Sequence, residues 1–271
     1  MNTEIKVDFH LHSYYSDGSF SPEEIVSIAK TNNYKIISIT DHDTLDAYKN
    51  GLLKKVDGIQ IISGIEMSAD LDGKEYHILG YNLNINDEKL LNILTKIKEA
   101  RKNRVIEIIK KLNEIGIKIK LSDLKYNSNS TLGRFHIAKS LVELRYANET
   151  QEVFAKYLNI NKPCYVPHYS ISPFDIIKLL KNNGAIIIWA HPFFSNDNNI
   201  IKEFVKIGLD GIETYHIQHN EETKRYYSEL AKKYNLLETG GSDWHGDASY
   251  NWNFKLKYNP FIQLCQKLKE I

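Results

Sequence analysis

Histidine and carboxylate side chains recur at the ends of short apolar runs in this 271-residue chain. Six of the ten histidines follow this pattern, almost always with a carboxylate close by. Imidazole nitrogens and carboxylate oxygens are ligands that zinc, manganese and iron take in proteins. The sequence therefore predicts metal chemistry, and the candidate ligands are His10, His12, Asp17, His42, Glu66, His77, His191, Asp243 and His245.

The spacing within these motifs indicates how the donors come together. His10 and His12 are two residues apart, as are Asp243 and His245, and residues two apart on a strand face the same side. In a parallel barrel the carboxyl ends of the strands converge on one face, where loops build the active site. Nine donors exceed the shell of one ion, and burying them together without a cation is costly. We therefore expect two or three ions, the arrangement that clamps both oxygens in phosphoester hydrolysis.

The elements that must position these donors alternate between strand-like and helix-like segments. Residues 22–30 read as a helix, with Ser21 as its N-cap and Glu24 completing a capping box. The strand-like runs are rich in isoleucine and look buried on both faces, which is typical of parallel strands and predicts an α/β fold. The predicted strands are residues 5–11, 36–40, 59–65, 75–80, 185–190, 211–215 and 236–239.

The middle of the chain has a different pattern. Apolar residues recur at helical spacing over residues 87–115, and residues 135–144 and 149–158 also look helical. We therefore expect residues 84–166 to form a mostly helical inserted subdomain over the active site. Residues 1–83 and 167–271 would then build the α/β barrel that carries the metal site.

Composition excludes several other classes of protein. The formal net charge is +1, so no basic field points to long nucleic acids, and the two cysteines form no CxxC pair. The chain starts without an apolar signal core, and no later run could span a bilayer. We expect a cytoplasmic protein that neither enters a membrane nor shows an obligatory protein partner.

The motifs DFHLHSYYSDG, TDHDT, GIE, a later histidine, AHP and GSDWHG, in this order, resemble the polymerase-and-histidinol-phosphatase (PHP) phosphoesterases. The resemblance covers nearly the whole chain. It implies a distorted (β/α)7 TIM-like barrel with a trinuclear site for manganese, zinc or iron. Carried over by motif, it assigns the first ion to His10, His12, Glu66 and Asp243. It assigns the second to Glu66, His77 and His191, and the third to Asp17, His42 and His245.

The insertion is similar to one branch of that family, through GRFHIAKSLVEL, VFAKYL and KPCYVPH. That branch removes the 3′-phosphate from nucleoside 3′,5′-bisphosphates and trims short RNA from the 5′ end. The resemblance places Arg134 on a phosphate-binding arginine, and a guanidinium suits phosphate because it donates two parallel hydrogen bonds. It also implies substrate contacts for His136 and His219. Asp243 or a nearby histidine such as His219 would handle the leaving-group proton.

Three other functions remain open from the sequence. Histidinol-phosphate phosphatase would share the metal ligands and differ in the pocket. A non-catalytic metal-binding module would be expected to lack ligands, and none is missing. A metal-dependent amidohydrolase would use similar ligands but typically a carbamylated lysine or a dedicated acid, and no lysine lies among the motifs.

Overall fold

The computed structural model describes residues 6–49, 51, 58–167, 171–195, 197–246, 252 and 254. Seven strands form one sheet in chain order, and each overlaps a predicted strand, although β3 runs six residues past its predicted end at residue 65. Ile5, predicted to begin the first strand, lies outside the described residues. The strands are β1 (Lys6–Leu11), β2 (Tyr34–Ile39), β3 (Gln60–Leu71), β4 (Lys74–Tyr81), β5 (Ile186–Trp189), β6 (Gly211–His216) and β7 (Leu237–Gly241).

The two edges of the sheet meet and nearly close a barrel. The segment after β7 bonds to β1: the His12 N–H donates to the Trp244 carbonyl at 3.0 Å, and the Asp243 N–H donates to the His10 carbonyl at 2.9 Å. Gly241 allows the two backbones to approach this closely, because a Cβ at its position would lie 2.6 Å from the backbone nitrogen of His10. The closure brings motifs from the two ends of the sequence side by side.

The expectation of an all-parallel sheet is wrong at β4. This strand is antiparallel to both β3 and β5, while the other neighbouring pairs are parallel. Strands β3 and β4 are joined by Asp72 and Gly73, both at positive φ, so the connection is a two-residue hairpin turn and not a crossover helix. As a result, Glu66 and His77 lie inside β3 and β4 and not at the ends of strands.

Helices cover the sheet and build the insertion. Their bounds follow from local signals, as at the first helix, where the Ser21 hydroxyl accepts from the Glu24 N–H at 3.1 Å and the Glu24 carboxylate accepts from the Ser21 N–H at 2.7 Å. No helix in the described ranges is long and apolar enough to cross a membrane. The helices are α1 (Pro22–Thr31), α2 (Asp46–Lys49), α3 (Glu88–Glu114), α4 (Arg134–Glu143), α5 (Thr150–Val153), α6 (Pro173–Asn183), α7 (Ile201–Ile207) and α8 (Glu221–Tyr234).

The middle of the chain is mostly helical and has a hydrophobic core of its own. The second half of α3 packs there against α4 and the π-helical turn Phe154–Leu158 that follows α5. One buried arginine ties this region to the sheet. Arg101 of α3 lies 2.6 Å from the Asp43 carboxylate and donates to the Ser68 hydroxyl at 2.8 Å. Because Asp43 directly follows the TDH motif, the helical region is anchored beside the candidate ligands.

Candidate metal centre

The structure brings all nine predicted ligands together at one end of the barrel. Two histidines of β1 and its following turn meet Glu66 of β3 and Asp243. The His10 Nε2 atom lies 3.2 Å from Glu66 Oε2 and 3.4 Å from Asp243 Oδ1. The His12 Nε2 atom lies 3.3 and 3.0 Å from the same two oxygens. These four side chains match the set assigned to the first ion, and their donor atoms can share one cation.

The second oxygen of Glu66 faces the other predicted group. Glu66 Oε1 lies 2.8 Å from His77 Nδ1 and 2.8 Å from His191 Nε2, and these two nitrogens are 3.3 Å apart. Glu66 therefore lies between two groups of nitrogen donors, with one oxygen toward each. If two ions were bound, Glu66 could bind one through each oxygen.

The third group consists of Asp17, His42 and His245, and it lies near the Nδ1 atom of His12, whose Nε2 atom faces Glu66. The His245 Nε2 atom is 3.3 Å from Asp17 Oδ1, and the His42 Nε2 atom is 3.9 Å from Asp17 Oδ2. His12 completes this group as a fourth possible ligand. His42 Nδ1 lies 3.0 Å from Glu66 Oε2, the oxygen that faces the first group, and His42 could also share an ion with Glu66 and His77.

Burial and charge show that these residues fit metal ions. Glu66 is fully buried, and burial alone would raise its pKa. The surrounding histidines outweigh burial and hold the pKa of Glu66 well below its usual range. Several donor atoms of the cluster are buried without a hydrogen-bond partner among the described residues, and such atoms are costly unless a cation binds them. They are His10 Nε2, His12 Nε2, Asp17 Oδ1, His42 Nδ1 and Glu66 Oε2.

A buried carboxylate that the sequence reasoning missed holds two ligands in place. Glu213 of β6 is fully buried, and its Oε1 accepts a hydrogen bond from His10 Nδ1 at 2.9 Å. That bond directs His10 Nε2 toward Glu66. Glu213 Oε2 accepts from the His191 N–H at 2.8 Å, where His191 has a positive φ of 24°. The sequence feature that could have identified Glu213 is its position as an acidic residue inside the apolar run GIETY.

We expect Glu213→Gln to weaken metal binding and activity by about ten- to a hundredfold, the usual cost of losing a partner behind a metal ligand. An amide offers one acceptor oxygen, so it cannot accept from both His10 and the His191 N–H. Chelator competition and initial rates measure the two effects. Glu238→Gln, on β7 and 3.2 Å from the Ser228 hydroxyl, is the matched control. Equal behaviour of the two variants would contradict the role given to Glu213.

A cleft of about 480 Å³ opens over the metal centre. Its walls include three arginines of α3 and α4, which are Arg101, Arg104 and Arg134, and the sequence reasoning singled out Arg134 alone. Arg134 begins α4, and its Nη2 atom donates to Glu75 at 2.8 Å. Asp17, His42, His77, Asp243 and His245 line the same cleft, so cationic side chains face the candidate metal ligands across it.

The other predicted substrate contacts lie outside the cleft lining. His136 is buried in α4, where its Nδ1 accepts from the Gly133 N–H at 3.1 Å and caps the helix. His219 is also buried, and its Nδ1 donates to the Thr214 carbonyl at 2.9 Å. His216, to which the sequence gave no role, lies nearer to the chemistry, with its Nε2 3.4 Å from Asp243 Oδ2. His168 lies outside the described residues.

The PHP domain family matches residues 8–163, which is more than half of the chain. The chain therefore belongs to the PHP domain family, as its motif order predicts. The match spans six of the nine predicted ligands, from His10 to His77, together with Arg134 and most of the predicted insertion.

Two curated relatives match over most of their length. A protein of Haemophilus influenzae named 5′-3′ exoribonuclease is 29% identical over 246 residues, covering 89% of this chain and 90% of that protein. A 3′,5′-nucleoside bisphosphate phosphatase of Chromobacterium violaceum is 27% identical over 247 residues, covering 88% of this chain and 87% of that protein.

Two solved structures share the fold. A protein from Bifidobacterium adolescentis superposes with a TM-score of 0.87 over 98% of both chains, at 24% identity. A Chromobacterium violaceum protein, described as an amidohydrolase with bound sulfate and no metal, superposes with a TM-score of 0.84 at 26% identity. That comparison covers 90% of this chain and 89% of the other. The distorted barrel predicted from the motifs is thus the fold of this chain.

Proposed function

We propose that this chain removes the 3′-phosphate from nucleoside 3′,5′-bisphosphates and also trims short RNA from its 5′ end. The chain is a metal-dependent phosphoric ester hydrolase of the PHP family. The observation that carries the substrate proposal is the cleft itself. Arg134 and five of the nine candidate ligands line this cleft, which supports a substrate with one phosphate at the metal centre and a second at the guanidinium.

The ligand sets that the geometry supports are the three groups described above. When bound, divalent ions activate water at neutral pH and stabilise the charge that develops on the phosphoryl oxygens. Manganese, zinc and iron all suit such nitrogen and oxygen donors. Two ions would account for the groups on either side of Glu66, and a third would use Asp17, His42 and His245.

The protein's own residues bind and orient the substrate. Arg134 holds the second phosphate through charge-assisted hydrogen bonds. The leaving-group proton is handled by Asp243 or by a nearby histidine: Asp243 lines the cleft, and its Oδ2 lies 3.4 Å from His216 Nε2. His219 packs against His216, and their ring centres are 5.4 Å apart. The His219 Nε2 atom is buried without a hydrogen-bond partner among the described residues. We therefore place His219, and His136 at the start of α4, in support of the site.

The inserted region supplies the substrate side of the cleft. We assign residues 84–166 to an inserted subdomain because the part from the second half of α3 to Val166 has its own hydrophobic core and because the region contributes the three arginines. Residues 1–83 and 167–271 are the barrel region of this division, and their described parts contain all seven strands. The sulfate in the related Chromobacterium violaceum structure supports oxyanion binding, since sulfate and phosphate are both tetrahedral anions. A cytoplasmic location stays a prediction from the sequence.

A substrate panel tests this proposal. The purified protein, supplied with Mn²⁺, is assayed with adenosine 3′,5′-bisphosphate, short 5′-phosphorylated RNA, histidinol phosphate, p-nitrophenyl phosphate and a simple amide. We expect the highest kcat/KM on the bisphosphate and release of adenosine 5′-monophosphate. A preference for histidinol phosphate would overturn the nucleotide assignment. Turnover of the amide alone would support the amidohydrolase alternative, and no turnover of any substrate would favour a metal-binding module.

A further inference from the structure

A carboxylate stands between the metal centre and Arg134. Glu75 Oε2 lies 2.8 Å from Arg134 Nη2, and Glu75 Oε1 lies 3.5 Å from His77 Nε2. Glu75 and His77 are two residues apart on β4, so both face the same side of the sheet. Glu75 thus connects a candidate metal ligand with the arginine that we assign to phosphate binding.

The two members of this ion pair differ in how firmly they are held. The Arg134 guanidinium lies 5.6 Å from the ring centre of Phe154, and its side chain is 17% exposed. The Glu75 side chain is 42% exposed and borders the cleft. Because ion pairs this exposed are weak, a stronger anion can replace the carboxylate while Arg134 stays against Phe154.

The surrounding charge favours such a replacement. Arg101 is already paired with Asp43, but Arg104, on the same cleft, bonds through Nε to the Val166 carbonyl at 2.9 Å and joins no ion pair among the described residues. Burial, together with the nearby charge of Arg134, lowers the pKa of Arg104 to about 10. Two guanidinium groups therefore face one carboxylate, and a phosphate dianion would balance them better than Glu75 does.

We propose that Glu75 is a specificity-determining residue that occupies, in the free enzyme, the place at Arg134 that the non-scissile phosphate of a substrate takes. Binding of a second phosphate then requires the carboxylate to leave Arg134. Glu75 sets the affinity of the enzyme for that phosphate and favours a dianion over a singly charged group. This inference rests on the proposed function, since it takes Arg134 to be the contact for the second phosphate.

Calorimetry on the metal-loaded protein tests the exchange. Adenosine 5′-monophosphate carries only the non-scissile phosphate, so it binds without being turned over. We expect Glu75→Gln to bind it about fivefold more tightly, which corresponds to about 1 kcal/mol, near the upper value for an exposed ion pair. In kinetics, the ratio of KM for adenosine 3′,5′-bisphosphate to KM for p-nitrophenyl phosphate should fall about fivefold. The ratio cancels any effect that both substrates share through His77.

Glu75→Gln combined with Arg134→Ala is the control. Relative to Arg134→Ala alone, the double variant should show the same affinity for adenosine 5′-monophosphate and the same KM ratio. Weaker binding by Glu75→Gln would overturn the proposal, because it would show that Glu75 orients Arg134. An equal gain in the Arg134→Ala background would overturn it as well, since the gain would then be general charge repulsion. Failure of the proposed function would appear differently, as an absence of bisphosphate hydrolysis by the unsubstituted protein.

Discussion

Replacing Glu66 by glutamine is expected to lower kcat/KM on adenosine 3′,5′-bisphosphate by about three to four powers of ten. Glu66 is the one candidate ligand whose two oxygens face different donor groups, at 3.2 Å from His10 and 2.8 Å from His191. An amide keeps the shape but loses the charge and one acceptor oxygen. Ion-based stabilisation of phosphoryl charge is worth several kcal/mol, and each factor of ten in rate is about 1.4 kcal/mol.

Metal analysis of the same variant separates this account from simple unfolding. The Glu66→Gln protein should retain its fold by circular dichroism and contain fewer transition-metal ions per chain. Asp197→Asn is a suitable control, because it removes a carboxylate that pairs with Lys74 at 2.8 Å outside the ligand cluster. If Glu66→Gln kept full metal content and near-normal turnover, the bridging position given to Glu66 would be wrong.

The second large effect is expected at Arg134. Arg134→Ala should lower kcat/KM on a nucleoside bisphosphate by about two to three powers of ten, equivalent to roughly 3–4 kcal/mol for a charge-assisted, two-point contact. Metal content should stay unchanged, because Arg134 contacts Glu75 and no candidate ligand. Arg134→Lys should restore only part of the activity, since an ammonium keeps the charge without the planar fork.

Two comparisons make the Arg134 prediction specific. Activity on p-nitrophenyl phosphate, which has a single phosphate, should fall less than activity on the bisphosphate. Arg145→Ala, at an exposed arginine of the same region, should behave as the unsubstituted protein. Small and equal losses on both phosphate substrates would place Arg134 outside the substrate contacts and leave only the broader assignment to a metal-dependent phosphoesterase.

The barrel and the ligand cluster could be predicted because their signals are local. His10 and His12 share one face of a strand through spacing alone, and the Ser21–Glu24 capping box marks a helix start within four residues. Each strand of the sheet is an apolar run that is visible by itself. The order of the motifs then supplied the architecture, and the family match confirms it.

The features that could not be predicted depend on residues far apart in the chain. Glu213 meets His10 across 203 positions, and nothing local tells a buried strand carboxylate from an exposed one. Arg101 lies on a long helix with many charged neighbours, and only the fold shows that it reaches Asp43.

The antiparallel direction of β4, by contrast, had a local signal in Asp72 and Gly73, because this dipeptide favours a two-residue hairpin turn.

The metal content of the purified protein tests the central claim most directly. Elemental analysis by mass spectrometry, after saturation with Mn²⁺ or Zn²⁺ and removal of unbound ions, gives the number of ions per chain. We predict at least two, because the donors on the two sides of Glu66 cannot all bind one ion, and three if Asp17, His42 and His245 hold their own. A saturated preparation with one ion or none per chain would contradict the account.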